Sequence, residues 1–206
     1  MIIPVLMYHS ISDDKSNLSI SPKEFDNQIK YLKESGYNTI KFNKINDENK
    51  HPVIITFDDG YKDNIINALP ILKKYNFSSI CFIVSDYIGG TNIWDQNHKK
   101  YVRKELLNKN DLIEWIKYGM SIGSHSKTHQ SLVKLNDNEV NDEIFQSKHD
   151  IQSIIGYEVD SFSYPFGNIN KLSAAKVKNA YKFAVSTDRS RYNTKKHKKF
   201  YIPRIH

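Results

Sequence analysis

Val53-Ile54-Ile55-Thr56-Phe57-Asp58-Asp59-Gly60 joins an apolar, β-branched run to two adjacent carboxylates and a glycine. A run that is apolar at every position, rather than at every second one, suits a strand covered on both faces. Similar runs at 2–8, 38–42, 79–84, 121–124, 161–164 and 182–186 also read as strands, as does 53–57 itself. Helical patterns lie between them. Ser21-Pro22-Lys23-Glu24 carries an N-cap, a first-turn proline and a capping-box acid, and predicts a helix to about Ser35 that stops at Gly36. Further helices are expected after Gly60, over 110–117, from 136 to 156, and over 171–181, with Pro70 kinking the second one or starting it afresh. This alternation, free of Gly/Ser linkers, argues for one α/β parallel-sheet domain over residues 1–206. A barrel and an open doubly wound sheet both fit it. Residues 85–109 lack periodicity and read as a long loop overhanging a site.

Composition narrows the class. The chain has 206 residues, 39% of them hydrophobic, with 10 Phe, 13 Tyr and 2 Trp, which excludes a disordered chain. The single cysteine, Cys81, excludes an intrachain disulfide and a thiolate-only metal cluster, and its apolar setting makes it a buried small hydrophobe. No apolar run has the length of a membrane span. The opening Met1-Ile2-Ile3-Pro4-Val5-Leu6-Met7 is too short for an export signal. A cytoplasmic location is therefore expected for the chain as written, or a secreted or periplasmic one if a leader has been removed. The net charge is +7, and six Lys and Arg without an acid lie within 189–199, so the rest carries +1. A near-neutral globule with a basic loop follows. That loop is a solvated surface or a weak contact for an acidic glycan or lipid phosphates. No nucleic-acid motif accompanies it.

Four short stretches can carry chemistry. The first is Asp58-Asp59, at the end of its strand, where parallel α/β proteins place their sites. Neighbouring side chains diverge, so one carboxylate can ligate a metal while the other acts as a base. An ordinary polar strand-to-helix turn would use the same residues. The second is His125-Ser126-Lys127-Thr128-His129. Two His four apart on one helical turn can share a metal. Ser126 stands where the zinc-protease motif needs a Glu, so the base must come from elsewhere, with Asp58 the candidate. Two His and one Asp leave a coordination position open, as in catalytic zinc sites. The third is Ser163-Tyr164-Pro165-Phe166-Gly167, whose fixed proline and permissive glycine can aim the Phe166 N–H into a cleft. The fourth is Met7-Tyr8-His9-Ser10, which puts a proton donor at a strand end. Tyr61 and Trp94 are candidates for stacking on sugar rings, as they are for packing.

In this order the four stretches resemble the polysaccharide deacetylases, the NodB-homology domain of carbohydrate esterase family 4, over nearly the whole chain. Pro4-Val5-Leu6-Met7-Tyr8-His9-Ser10-Ile11 resembles the permuted branch that deacetylates poly-N-acetylglucosamine. The resemblance implies a distorted (β/α)7 barrel and a metal-dependent hydrolase that removes N-acetyl groups from a sugar or polysaccharide. It implies Asp58 as general base and Asp59, His125 and His129 as ligands of one divalent metal, usually Zn2+, with Co2+, Ni2+ or Mn2+ as substitutes. It also implies Phe166 as backbone oxyanion donor and His9 as general acid, with Tyr61, Trp94, Tyr164 and Pro165 toward the substrate. Two departures stand out. The arginine that usually precedes the Tyr164-Pro165 pair is absent, and Arg204 can replace it in orienting Asp58. The terminal His206 competes with His9 for the acid role. Alternatives within the same scaffold are a deformylase or deacetylase of a carrier-linked aminosugar, or an O-acetyl esterase. A glycan-binding pseudoenzyme is the non-enzymatic alternative, and the intact base and ligand set argues against it.

Overall fold

The computed structural model describes residues 1–46, 48 and 50–206. Seven strands run parallel: β1 (Val5–Tyr8), β2 (Pro52–Phe57), β3 (Ile80–Ile83), β4 (Ser121–Ser124), β5 (Ser161–Ser163), β6 (Phe183–Arg189) and β7 (Ile202–Arg204). Each pairs with the next in sequence order. The last returns to the first, because the Met7 amide donates to the Ile205 carbonyl at 2.8 Å and the Ile205 amide to Val5 at 2.7 Å. The result is the nearly closed seven-stranded (β/α) barrel that the resemblance implied.

Period-two alternation sorts the side chains. Val5, Ile54, Ile80, Phe82, Val185 and Ile202 fill the barrel, and Phe42 stacks on Phe183 at 5.6 Å beside them. Val53, Ile55, Phe57, Cys81, Ile122 and Phe162 face the helices in a second, larger cluster. These helices are α1 (Pro22–Glu34), α2 (Leu69–Lys74), α3 (Lys109–Lys117), α4 (Asp137–Asn141), α5 (Ser147–Ile155) and α6 (Lys171–Ala180). α1 has the capping box expected of Ser21 and Glu24, and it buries Phe25, Ile29 and Leu32. Pro70 falls in the first turn of α2, which starts afresh after a π-turn at Asn64–Ala68. A second π-turn, Asp142–Gln146, joins α4 to α5, and Gly156 ends the latter in the left-handed region. Among the described residues no helix is long and apolar enough to cross a membrane.

Two strand expectations need correction. The run 38–42 is a strand only at Asn38–Thr39, because Phe42 turns inward and the chain goes into a 3-10 turn, Phe42–Lys44. β7 has no strand signal in the sequence, since it is three residues long and contains Pro203, a residue that argues against a paired strand. Residues 85–109 do form a long excursion. It has two 3-10 turns and is tied by the bridges Tyr61–Leu106 and Thr91–Glu105.

The barrel is narrow enough to demand a glycine. A Cβ on Gly123 of β4 would lie 2.4 Å from the Phe82 ring and 3.0 Å from Ser161 Oγ. Overpacking of this kind costs roughly 1–3 kcal/mol. Gly123→Ala is expected to lose that much stability in chemical denaturation.

Candidate active site

The inward parity of the strands carries past their ends. Ile54 and Thr56 point inward on β2, and Asp58 follows them. Ser163, on β5, and Arg204, on β7, have the same parity, as does His125, which comes after Gly123 on β4, and His9, after Val5 and Met7 on β1. Five strand ends therefore aim polar side chains at one point.

Asp58 is the centre of that point. Arg204 donates to both its oxygens, Nη1 to Oδ1 and Nη2 to Oδ2, each at 2.7 Å. Ser163 Oγ donates to Oδ2 at 3.1 Å. The remaining Arg204 protons go to Thr56 Oγ1 at 3.2 Å, Ser163 Oγ at 3.2 Å and the Ser186 carbonyl at 2.9 Å. All five guanidinium N–H groups are thereby used. Burial raises the Asp58 pKa, but the positive charge of Arg204 and its hydrogen bonds outweigh it and hold the carboxyl below the usual carboxylate range.

Asp59, His125 and His129 converge beside it, with one ligand atom from each inside a 4.8 Å cluster. His129 Nε2 lies 3.3 Å and His125 Nε2 3.5 Å from Asp59 Oδ1, a buried oxygen with no hydrogen-bond partner among the described residues. His125 Nδ1 is 2.7 Å from the Ser163 carbonyl. A carbonyl only accepts, so Nδ1 carries the proton and Nε2 is left as a lone pair facing Asp59. Burial above all lowers the His125 pKa to about 4, which keeps the ring neutral at ordinary pH. Burial works against ionisation of Asp59, but the His129 ring 3.3 Å away prevails and lowers the pKa to about 2. An orphaned carboxylate oxygen, a neutral imidazole with fixed tautomer and a second imidazole, all buried, fit a divalent cation.

The His-x-x-x-His stretch differs from its expectation. It is a loop and not a helical turn, with Ser126 and His129 both left-handed (φ 65° and 61°). Glu143, from the π-turn before α5, holds it by accepting from the Lys127 and Thr128 amides at 2.9 Å and from the Thr128 hydroxyl. Ser126 Oγ caps the His129 amide at 3.1 Å. The four-residue spacing picked out a pair that the structure does bring together, through a different local geometry. Asp59 (φ 70°) and Phe166 (φ 58°) are also left-handed, so four of the six described non-glycine residues with positive φ lie in this site. Such strain, of order 1–3 kcal/mol each, persists where surrounding contacts impose it, and it concentrates at functional sites.

The aromatic candidates divide. Trp94 stacks on His129 at 5.0 Å, and the exposed Phe166 ring meets the same imidazole edge-on at 4.7 Å. Tyr61 is buried, with its hydroxyl against Asp59. Burial first and that carboxylate second push its pKa far up, so it remains a donor to Asp59 and offers no face to a sugar. Tyr164 and Pro165 are corrected too. Tyr164 is fully buried against Phe162 on the helix side of β5, and Pro165 is buried beside it, so neither has surface to give a substrate. His9 is half-buried at the barrel mouth, where its charge favours ionised Asp58 and Asp59. His206 lies along the groove that His9 also lines.

Sequence reading missed the anchor of the His9 turn. Lys104 Nζ, from the long loop, donates to Ser10 Oγ at 2.6 Å, Ser12 Oγ at 3.0 Å and the Asp14 carboxylate. Asp63 accepts from Ser10 Oγ at 2.7 Å and from the Ile11 amide at 2.9 Å. A lone Lys in an aperiodic stretch gives no signal of this, since its partners lie 90 or more residues away apart from Asp63.

The family model for polysaccharide deacetylases matches residues 45–184. That span contains His125, His129 and both carboxylates but neither His9 nor Arg204. The Bacillus subtilis protein YxkH is 34% identical over 195 residues, covering 90% of this chain and 64% of its own length. A poly-beta-1,6-N-acetyl-D-glucosamine N-deacetylase of Staphylococcus epidermidis is 30% identical over 218 residues, covering 94% of this chain and 70% of the relative. Among solved structures, BC0361, a polysaccharide deacetylase from Bacillus cereus, superposes with a TM-score of 0.86 at 27% identity, over 100% of this chain and 64% of that one. The chain thus spans less than two thirds of the length of YxkH and of BC0361. Family model, relatives and barrel agree, and the chain belongs to the polysaccharide deacetylase family.

Proposed function

We propose that this protein hydrolyses N-acetyl groups on an N-acetylated glycan of the poly-N-acetylglucosamine class, with one divalent cation held by Asp59, His125 and His129. The observation that carries the reading is the placement of Asp58, fixed by Arg204, directly beside that convergent ligand set. Zn2+ suits two imidazoles and a carboxylate that leave a position open. When bound, such a cation lowers the pKa of water and polarises an acyl oxygen.

The chain's own groups supply the rest. Asp58 accepts the proton of the attacking water. Its orientation is set by the two Arg204 bonds, which keep the carboxylate from rotating. The Phe166 N–H stabilises the oxyanion, a contribution of about 2.7–4 kcal/mol for one such donor. His9 gives its proton to the leaving amine, which otherwise departs poorly. The Asp58 proton and the His9 proton thus travel in opposite directions across the scissile C–N bond.

Elemental analysis of the purified protein is expected to find about one divalent cation per chain, and His125→Ala to lose it. Asp58→Asn is expected to keep the metal and lose about a hundredfold to ten-thousandfold in kcat, the range for a general base. Acetate release from N-acetylglucosamine oligomers at unchanged rate in that variant would sink the assignment. Arg204 lowers the Asp58 pKa, so its removal must raise it. In Arg204→Gln the base therefore stays protonated to higher pH, and the acid limb of kcat/KM moves upward from its wild-type position. A variant that merely loses rate at every pH, with the limb unmoved, would reduce Arg204 to a structural residue.

A further inference from the structure

The His9 ring receives no hydrogen bond from the described residues, so its aim comes from the backbone on either side of it. Upstream, the Asp58 amide donates to the Tyr8 carbonyl at 2.9 Å. Downstream, Asp63 accepts from the Ser10 hydroxyl and the Ile11 amide, and Asn67 Nδ2 donates to the Ile11 carbonyl at 2.7 Å. Lys104 closes this downstream clamp from the long loop. We propose that Lys104 is a positioning residue for the His9 ring, and that through it the long loop ties the proton-donor side of the site to its ligand side. The consequence for catalysis rests on the reading of His9 as general acid, whereas the place of the ring does not.

The Lys104 side chain is 8% exposed and its ammonium stands between two carboxylates, Asp14 and, at 3.5 Å, Asp63. A lysine is rarely so enclosed unless paired. Against a well-packed apolar substitute a buried ion pair adds little net stability, so what this one supplies is direction. Its ammonium protons reach Ser10 Oγ, Ser12 Oγ and Asp14, all in the turn directly after His9. The Lys104 backbone is held as firmly. Its amide donates to Asn92 Oδ1 at 2.8 Å, the Asn92 amide donates to its carbonyl at 3.2 Å, and Asn92 Nδ2 donates to the Val102 carbonyl at 3.1 Å. Asn92 is buried and lies two residues before Trp94, the ring that stacks on His129. The same ammonium lies 5.6 Å from the centre of the Tyr61 ring, whose hydroxyl is against Asp59. One strap thus runs from two of the proposed ligands, through Asn92 and Lys104, to the residue after the proton donor. The acid must reach a leaving atom whose place the ligand set defines, and a misplacement of about 1 Å can cost a hundredfold in rate.

The test is a crystal structure of Lys104→Met beside a kinetic cycle with His9→Ala. Methionine keeps most of the side-chain length and removes the charge. The His9 ring is expected to shift by about 1 Å or to lose its single position. With it, kcat for acetate release from N-acetylglucosamine oligomers should fall about a hundredfold. In the His9→Ala background the same substitution should cost less than about threefold, because a positioning residue acts only through the group it positions. A 4-nitrophenyl acetyl ester, whose phenolate leaves without taking a proton, should suffer a loss about tenfold smaller than the amide does. Ser10→Ala removes one oxygen, leaves Lys104 paired with Asp14, and replaces Lys104→Met should that protein not fold; about a tenfold loss with the same cycle is expected of it. A His9 ring in its wild-type place overturns the proposal, as do losses that multiply in the double variant or fall equally on amide and ester. A displaced ring, with no acetate released from either substrate by the wild type, upholds the positioning role and overturns the hydrolase reading.

Discussion

The Arg204–Asp58 pair is the contact on which the site depends. Neither residue is solvated, Arg204 having no exposed surface and Asp58 2%. Taking two charges out of water costs several kcal/mol for each ion, and the attraction between them offsets this only when the remaining donors are also satisfied. Here every guanidinium proton has an acceptor, and the acceptors come from β2, β5, β6 and the residue after β2. One buried cation therefore joins four of the seven strands at their chemical ends. Loss of either partner would leave an unpaired buried charge, a defect worth about 3–5 kcal/mol. Stability and the orientation of the proposed base are in this way the same interaction.

Around that pair the backbone is bent out of its ordinary range. Asp58 leaves β2 on the inward parity, and Asp59 would then point outward if the strand continued. Its left-handed conformation, followed by Gly60 at φ 72°, turns the carboxylate back toward the histidines. The His125–His129 loop does the same with two further left-handed residues, and Phe166 with another. Each is imposed by named contacts: Glu143 on the Lys127 and Thr128 amides, Ser126 on His129, and Gly167 packed where a Cβ would meet Thr187 Oγ1 at 1.9 Å. The rigid barrel supplies the binding of these loops, and the strain buys convergence of groups that strand geometry alone would splay.

The site's electrostatics separate into two regions. At the ligand set, buried carboxylates face buried imidazoles, and each favours the protonation state that a cation needs. Along the groove, the exposed groups are amides, aromatic and aliphatic surface, and cationic side chains. The six basic residues of 189–199 contribute one member to that groove, Arg189. Lys199 lies over the Phe183 and Phe200 rings instead, at the opposite ends of the strands.

Much was legible from local pattern. Unbroken apolar runs alternating with amphipathic stretches fixed a parallel α/β class, the capping box located α1, and Asp58, Asp59, His125 and His129 stood out because ligand and base chemistry needs those residue types at strand ends. Period and residue type are local, and they survive in one dimension. What lay beyond them was set by contacts distant in sequence. β7 is three residues with a proline, and it becomes a strand because β1 and β6 flank it. Tyr164 and Pro165 look like site residues in the chain, yet strand parity sends the Tyr164 side chain to the helix side. Lys104 finds Ser10 and Asp14 only once the long loop folds over β1, and Arg204 finds Asp58 across 146 residues because barrel closure puts the last strand near the second. The sequence by itself determined the parallel α/β class and which polar residue types stand at the strand ends. Only the tertiary structure decided which groups aim them, since a charge or a donor acts through distance, and distance between remote residues exists only after the barrel closes.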